Sequence, residues 1–113
     1  KMLEIKSEML DGVLVTHLTG RLDGLTSKSF LEQIAAPEHA EQSLLVLDCK
    51  ELSYISSEGL RVILMAAKKA KSLGGALTLC DVNPSVNEVM VISGFGEMLG
   101  VHADVNQAIK AIR

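Results

Sequence analysis

The stretch Ser56-Ser57-Glu58-Gly59 holds the residues best placed for chemistry in this chain of 113 residues. Two adjacent hydroxyls stand between an apolar run of strand length and an apolar run of helical period, and three chemistries fit them. A hydrolase elbow would make Ser57 the nucleophile, with Gly59 two residues on. That motif also needs glycine two residues before the serine, and Ile55 stands there. His17, His39 and His102 fall in a strand, a loop and a strand end, none placed by spacing as a base, so no catalytic residue is assigned. The second chemistry is structural: serine is a preferred N-cap, and a helix starting here needs its first amide groups satisfied. The third is modification. A phosphate adds about −1.5 to −2 charges and three acceptor oxygens. At a helix N-terminus that charge meets the positive end of the dipole, so the helix survives while the surface changes. A partner that buries the surface would be expelled. Spacing leaves cap and modification open together, because one position serves both.

The elements that must position these serines follow from periodicity. Alternation in "LEIKS" (3 to 7) and "GVLVTHL" (12 to 18), with Asp11-Gly12 between, predicts a hairpin. "TGRLDG" (19 to 24) reads as a loop, and Thr26 or Ser27 as the cap of a helix through "KSFLEQIAA" closed by Pro37. "SLLVLDC" (43 to 49) is a continuous apolar strand of the doubly buried kind. A long helix then runs from about Ser57 to Leu73, stopped by Gly74-Gly75. "ALTLCDV" (76 to 82) is another buried strand. Asn83-Pro84 starts a helix through Val86, Val89 and Met90 that stops at Gly94. A short strand near "MLGVH" (98 to 102) and a last helix capped by Asp104 complete the chain. Strand and helix alternate in the second half, so the pairing there is parallel with right-handed crossovers. The fold expected is α/β: one domain over 1–113, with a mixed sheet of four to five strands covered by about four helices.

On the long helix, Leu60, Ile63, Leu64 and Ala67 form the stripe expected to face the sheet. Glu58, Arg61, Met65, Lys68, Lys69 and Ser72 lie opposite, with Val62 at the margin. Met65 is a flexible apolar side chain among charges, which suits a partner-binding surface.

Composition closes several alternatives. The chain is 48% apolar and 22% charged, an ordinary globular balance. One Tyr, two Phe and no Trp leave no stacking platform for single-stranded nucleic acid, and a net charge of −3 leaves no footprint for a phosphate backbone. Cys49 and Cys80 sit in apolar runs and read as buried thiols, too few and too far apart for a metal site. The start lacks a signal-peptide core, and no apolar run reaches membrane-span length, so a cytoplasmic protein without membrane partners is expected. Lys1 ahead of Met2 reads as an appended residue. No glycine-rich phosphate loop with lysine is present, which leaves nucleotide binding weakly supported.

"GRLDGLTSKSF" (20 to 30), the block from Leu44 to Met90 centred on "ISSEGL", and "SGFGEML" (93 to 99) together resemble a STAS domain of the anti-sigma factor antagonist family. The resemblance covers nearly the whole length. It implies a non-enzymatic protein, without cofactor, that binds an anti-sigma factor which is also a serine kinase and so frees a sigma factor. Phosphorylation of one serine at the start of the long helix breaks that complex, and a cognate phosphatase restores it. Aligning Gly59-Leu60 on the family pattern Asp-Ser-Ser/Thr-Gly-Leu puts the phosphoacceptor at Ser57, with Ser56 the second choice. Ser56 then stands where relatives carry Asp, and Glu58 adds a fixed negative charge. Asp23 matches the loop acid of the family's G-x-L-D. The partner-binding set implied is Asp23, Ser56, Glu58, Arg61, Met65 and Lys68. The alternative is a STAS interaction module without sigma factors, serving nucleotide binding or lipid transport.

Overall fold

Residues 2–113 are described by the computed structural model of the chain, and Lys1 lies outside them. Asp11 and Gly12 both take positive φ, 53° and 79°, the backbone of a tight hairpin turn whose twist matches its flanking strands. They join β1 (Leu3–Leu10) to β2 (Val13–Leu22) in antiparallel register, Leu10 opposite Val13. Helix α1 (Ser27–Ile34) and a short 3-10 turn (Pro37–His39) lead into β3 (Leu44–Ile55). Then come α2 (Ser57–Ser72), β4 (Ala76–Cys80), α3 (Pro84–Ser93), α4 (Phe95–Leu99), β5 (Val101–His102) and α5 (Val105–Ile112). The five strands lie side by side in chain order, β1 antiparallel and the rest parallel. The mixed sheet expected from the sequence is present.

The sheet divides the core in two. On one face, Leu14, Leu18, Leu22, Leu45, Leu47, Cys49 and Leu79 pack with Phe30 of α1, Ile63 of α2 and Met90 of α3. On the other, Val13, Val15, Val46 and Cys80 pack with Ala108 and Ile109 of α5 alone. Cys49 and Cys80 therefore point to opposite faces, which separates their sulfurs by the sheet itself. Burial raises both thiol pKa values, that of Cys80 to about 12 with the carboxylates of Asp48, Asp81 and Asp104 adding to it.

Several local expectations need correction. Strand β3 does not end at Cys49 but continues to Ile55, and β2 continues through Thr19–Leu22, which reads as loop in sequence. In these extensions only Leu22, Leu52 and Ile55 are buried, at spacings that break strand alternation, and two register shifts between His17/Thr19 and Gly20/Arg21 interrupt the periodicity. The segment before Gly100 is not strand. Gly94, at φ 80°, ends α3, and the chain re-enters a helix in which Phe95 and Leu99, one turn apart, pack on the core. Helix α1 stops at Ile34, short of Ala36. Its N-cap position is Thr26, yet the Thr26 hydroxyl does not cap: it donates to the Arg21 carbonyl (2.9 Å) and accepts from the Asp23 amide (3.0 Å).

Helix α2 is also turned relative to the expected stripe. Gly59, Leu60, Val62, Ile63, Ala66 and Ala70 are buried, while Leu64 and Ala67 are half-buried. Val62, expected at the margin, is 1% exposed. The cause is Gly59. A Cβ there would stand 2.4 Å from the Leu22 carbonyl oxygen, so only glycine lets the helix start lie this close to β2.

Candidate functional site

The end of β3 delivers the two serines to different jobs. The Ser56 amide donates to the Leu22 carbonyl at 3.0 Å, which pins the end of β3 beside the end of β2. Ser56 then takes an extended backbone as N-cap of α2, and its hydroxyl accepts from the Gly59 amide at 3.2 Å. One of the helix's orphan amides is thereby satisfied. Ser57 is the first helical residue. It is exposed, and its hydroxyl makes no hydrogen bond to any described residue. The cap is Ser56, and Ser57 is left chemically free.

Next along the helix, Glu58 and Arg61 close a two-pronged pair, with Arg61 Nε and Nη2 donating to the Glu58 carboxylate at 3.2 and 3.1 Å. The Arg61 guanidinium lowers the Glu58 pKa through those hydrogen bonds, and Glu58 raises that of Arg61. Arg61 Nη1 lies 3.5 Å from the Met65 sulfur, whose side chain is 44% exposed. Lys68 continues the line one turn on, exposed and without an ion-pair partner among the described residues. Ser57, Arg61, Met65 and Lys68 thus make one ridge at i, i+4, i+8 and i+11.

Asp23 enters from the loop after β2, one residue beyond the carbonyl that binds Ser56. Its carboxylate is folded into its own loop, accepting from the amides of Leu25 (3.0 Å) and Thr26 (3.3 Å), with Arg21 Nε at 3.4 Å. Partial burial opposes ionisation, but those donors outweigh it and hold the carboxyl below its usual range. Asp23 is consequently an organiser of the loop more than a free acid. By that turn it lifts Leu25 into solvent, 78% exposed. Across the strand ends, the Arg21 guanidinium sits 4.2 Å over the Tyr54 ring.

The structure therefore brings Ser56, Ser57 and Glu58 together at the α2 start, lines Arg61, Met65 and Lys68 behind them, and sets Asp23 in the adjoining loop. Two exposed neighbours on this side, Leu25 and Tyr54, have no place in the sequence expectations, whereas Gly59 enters there only as part of the serine motif and not for its contact with Leu22. The one available signal for Leu25 is an apolar residue inside the turn sequence Asp-Gly-Leu-Thr. Among the described residues no group of side chains is arranged to hold a metal ion, and no helix is long and apolar enough to cross a membrane.

Residues 4–108 match the STAS domain family, and the chain belongs to it. A Bordetella bronchiseptica protein, BtrV, described as a candidate anti-sigma factor antagonist, is 37% identical over 93 residues, spanning 82% of this chain and 80% of its own length. An anti-sigma F factor antagonist of Paenibacillus polymyxa is 35% identical over 101 residues, covering 88% and 86% of the two chains. In structure, the anti-sigma factor antagonist SpoIIAA in its unphosphorylated form superposes with a TM-score of 0.79 at 22% identity, over 96% of this chain and 95% of that one. That last likeness concerns the fold.

Proposed function

We propose that this protein is an anti-sigma factor antagonist without enzymatic activity of its own. Unmodified, it docks through the start of α2 and the adjoining loop on an anti-sigma factor that is also a serine kinase. Phosphorylation of Ser57 ends the complex, and a phosphatase restores it. Curated relatives carrying the antagonist name support the class. The observation that carries the residue assignment is the division of labour between the serines: Ser56 is committed to the cap, and Ser57 offers a free, exposed hydroxyl at the same helix start.

The mechanism is electrostatic and local. In the unmodified state the Glu58 and Arg61 charges cancel, leaving Ser57 in a near-neutral patch, with Leu25 exposed on the adjoining loop and Met65 exposed two turns along the helix, a surface that a partner can dehydrate cheaply. A phosphate on Ser57 brings about −1.5 to −2 charges into that patch, and burying them against a partner costs several kcal/mol. The first-turn amides accept that charge, so α2 stays folded while the interface is lost.

The test is labelling of wild type, Ser56→Ala and Ser57→Ala by the cognate kinase with ATP. Ser57→Ala is expected to take up no phosphate and to keep wild-type stability. Ser56→Ala should still be labelled while losing about 0.5–2 kcal/mol with its cap. Labelling of Ser57→Ala at the wild-type level would move the site elsewhere.

A further inference from the structure

A second feature of α2 lies toward its other end and shares only Lys68 with the ridge behind Ser57. Its C-terminal half walls a groove of about 440 Å³, within the range of ligand-sized clefts. Leu64, Ala67, Lys68 and Lys71 form one wall, Leu77 of β4 lies in the floor, and Met98 and Leu99 of α4 form the other wall. Leu64 and Ala67 are the residues that the rotation of α2 left half-buried, and Met98 is 67% exposed. Among the described residues the only charged side chains lining the groove are the two lysines. Neither has an ion-pair partner among the described residues, although the chain as a whole carries a net charge of −3.

Leu64, Ala67, Lys68 and Lys71 fall at i, i+3, i+4 and i+7, a strip about 10 Å long at 1.5 Å per residue. That length matches two turns of a helix laid alongside, with an apolar stripe against Met98 and the floor and one flank beside the lysines. We propose that this groove is a docking site for an amphipathic helix of a protein partner, whose flank facing α2 is acidic. Apolar floor and wall supply the burial, Met98 adapts to the incoming side chains, and the uncompensated ammonium groups select the acidic flank over a basic one. The groove shares Lys68 with the ridge behind Ser57, and its other lining residues lie outside that ridge. Lys68 and Lys71 lie eleven and fourteen residues from Ser57 along α2, about 16 and about 21 Å. Both exceed a Debye length of about 8 Å, so a phosphate on Ser57 is screened from the groove.

The test uses the full chain, labelled with 15N, and two capped peptides of about sixteen residues, long enough to hold some helix in water. Both carry leucines at i, i+3, i+4 and i+7 in an alanine background, one with glutamates along a flank and one with lysines there. The acidic peptide is expected to shift the amides of Leu64–Leu77 and Phe95–Leu99, and the basic peptide to bind at least tenfold more weakly. In Lys68→Glu/Lys71→Glu the preference should invert, a gain that misfolding cannot imitate. Ser57→Asp should bind the acidic peptide within twofold of wild type. Equal binding of both peptides by wild type, or shifts centred on Ser56–Arg61, would overturn the proposal. So would the absence of peptide shifts alongside saturable shifts of the same amides by dodecanoate, which would make the groove a lipid site. Loss of acidic-peptide binding in Ser57→Asp would contradict the independence of the two sites while leaving the switch intact.

Discussion

At the scale of single residues, Gly59 does what no other side chain could. It lets the α2 start touch the Leu22 carbonyl, the same oxygen that accepts the Ser56 amide. Gly59→Ala gains roughly 1 kcal/mol of helix propensity but drives a methyl into backbone 2.4 Å away. Overpacking of that kind costs about 1–3 kcal/mol, and here it also pushes the cap off its seat. Thermal denaturation should show a lower midpoint for Gly59→Ala, and kinase labelling of Ser57 should slow in the same variant. An unchanged midpoint would mean that the β2 end yields freely. In the sequence Gly59 marks the serine motif but not its packing role, because the carbonyl it meets comes from a strand 37 positions earlier. Spacing alone leaves the Ser56/Ser57 pair undivided for a similar reason, and only the family resemblance ranks Ser57 ahead of Ser56. Which hydroxyl caps depends on where the helix begins to within one residue, and that is set by the Leu22 contact.

At the scale of elements, three strands are tied on the α5 side of the sheet by a carboxylate–imidazole–carboxylate bridge. His17 of β2 contacts Asp48 of β3 through Nδ1 at 2.7 Å and Glu8 of β1 through Nε2 at 2.6 Å. Partial burial disfavours the charged ring, but the two carboxylates outweigh it and raise the His17 pKa above 6.5. Lys6, opposite His17 in the register, is the competing cation on this face. An imidazolium can donate to both carboxylates, a neutral ring to one. Because the folded pKa is raised, the stabilisation is complete below the unfolded value of about 6.5 and is lost as pH rises through the folded one. Melting curves should therefore show the midpoint falling as pH climbs from about 6 to above the folded pKa. His17→Gln should flatten that slope, and a wild-type profile flat over the same window would refute the bridge. Sequence alternation placed His17 in its strand but could not pair it, since Asp48 and Glu8 reach it only through register. The same limit explains the missed strand extensions: the apolar run 43–49 announces itself, whereas Lys50–Tyr54 exposes every residue but Leu52 and hides its pairing with β2.

For the whole molecule, burial predicts where the fold opens first. Strands β2, β3 and β4 carry the residues enclosed from both faces, while six of the eight β1 residues are exposed and α3–α4 shows Val91, Ile92 and Met98 to solvent. Amide hydrogen exchange followed by NMR should find the slowest protons in Val13–Leu18, Leu45–Cys49 and Leu77–Cys80, and fast ones in the outer half of β1 and in α4. Uniform protection across all five strands would contradict this gradient. The overall α/β architecture was readable because its signals are local: the Asp11-Gly12 turn, the apolar strands, the Asn83-Pro84 helix start.

The spatial order of the strands has a consequence for biosynthesis. Since β1 to β5 lie side by side in the order they are made, each strand emerging from the ribosome finds its neighbour already present at the growing edge. No strand waits for a later one to be inserted beside it, so the sheet can zip vectorially. The segment that carries Ser57 follows directly on β3, whose end is seated on β2 by the Leu22 carbonyl. The two strands whose ends seat the start of α2 are thus both made before it, while the α2 face that joins the core waits for Leu79 of β4 and Met90 of α3.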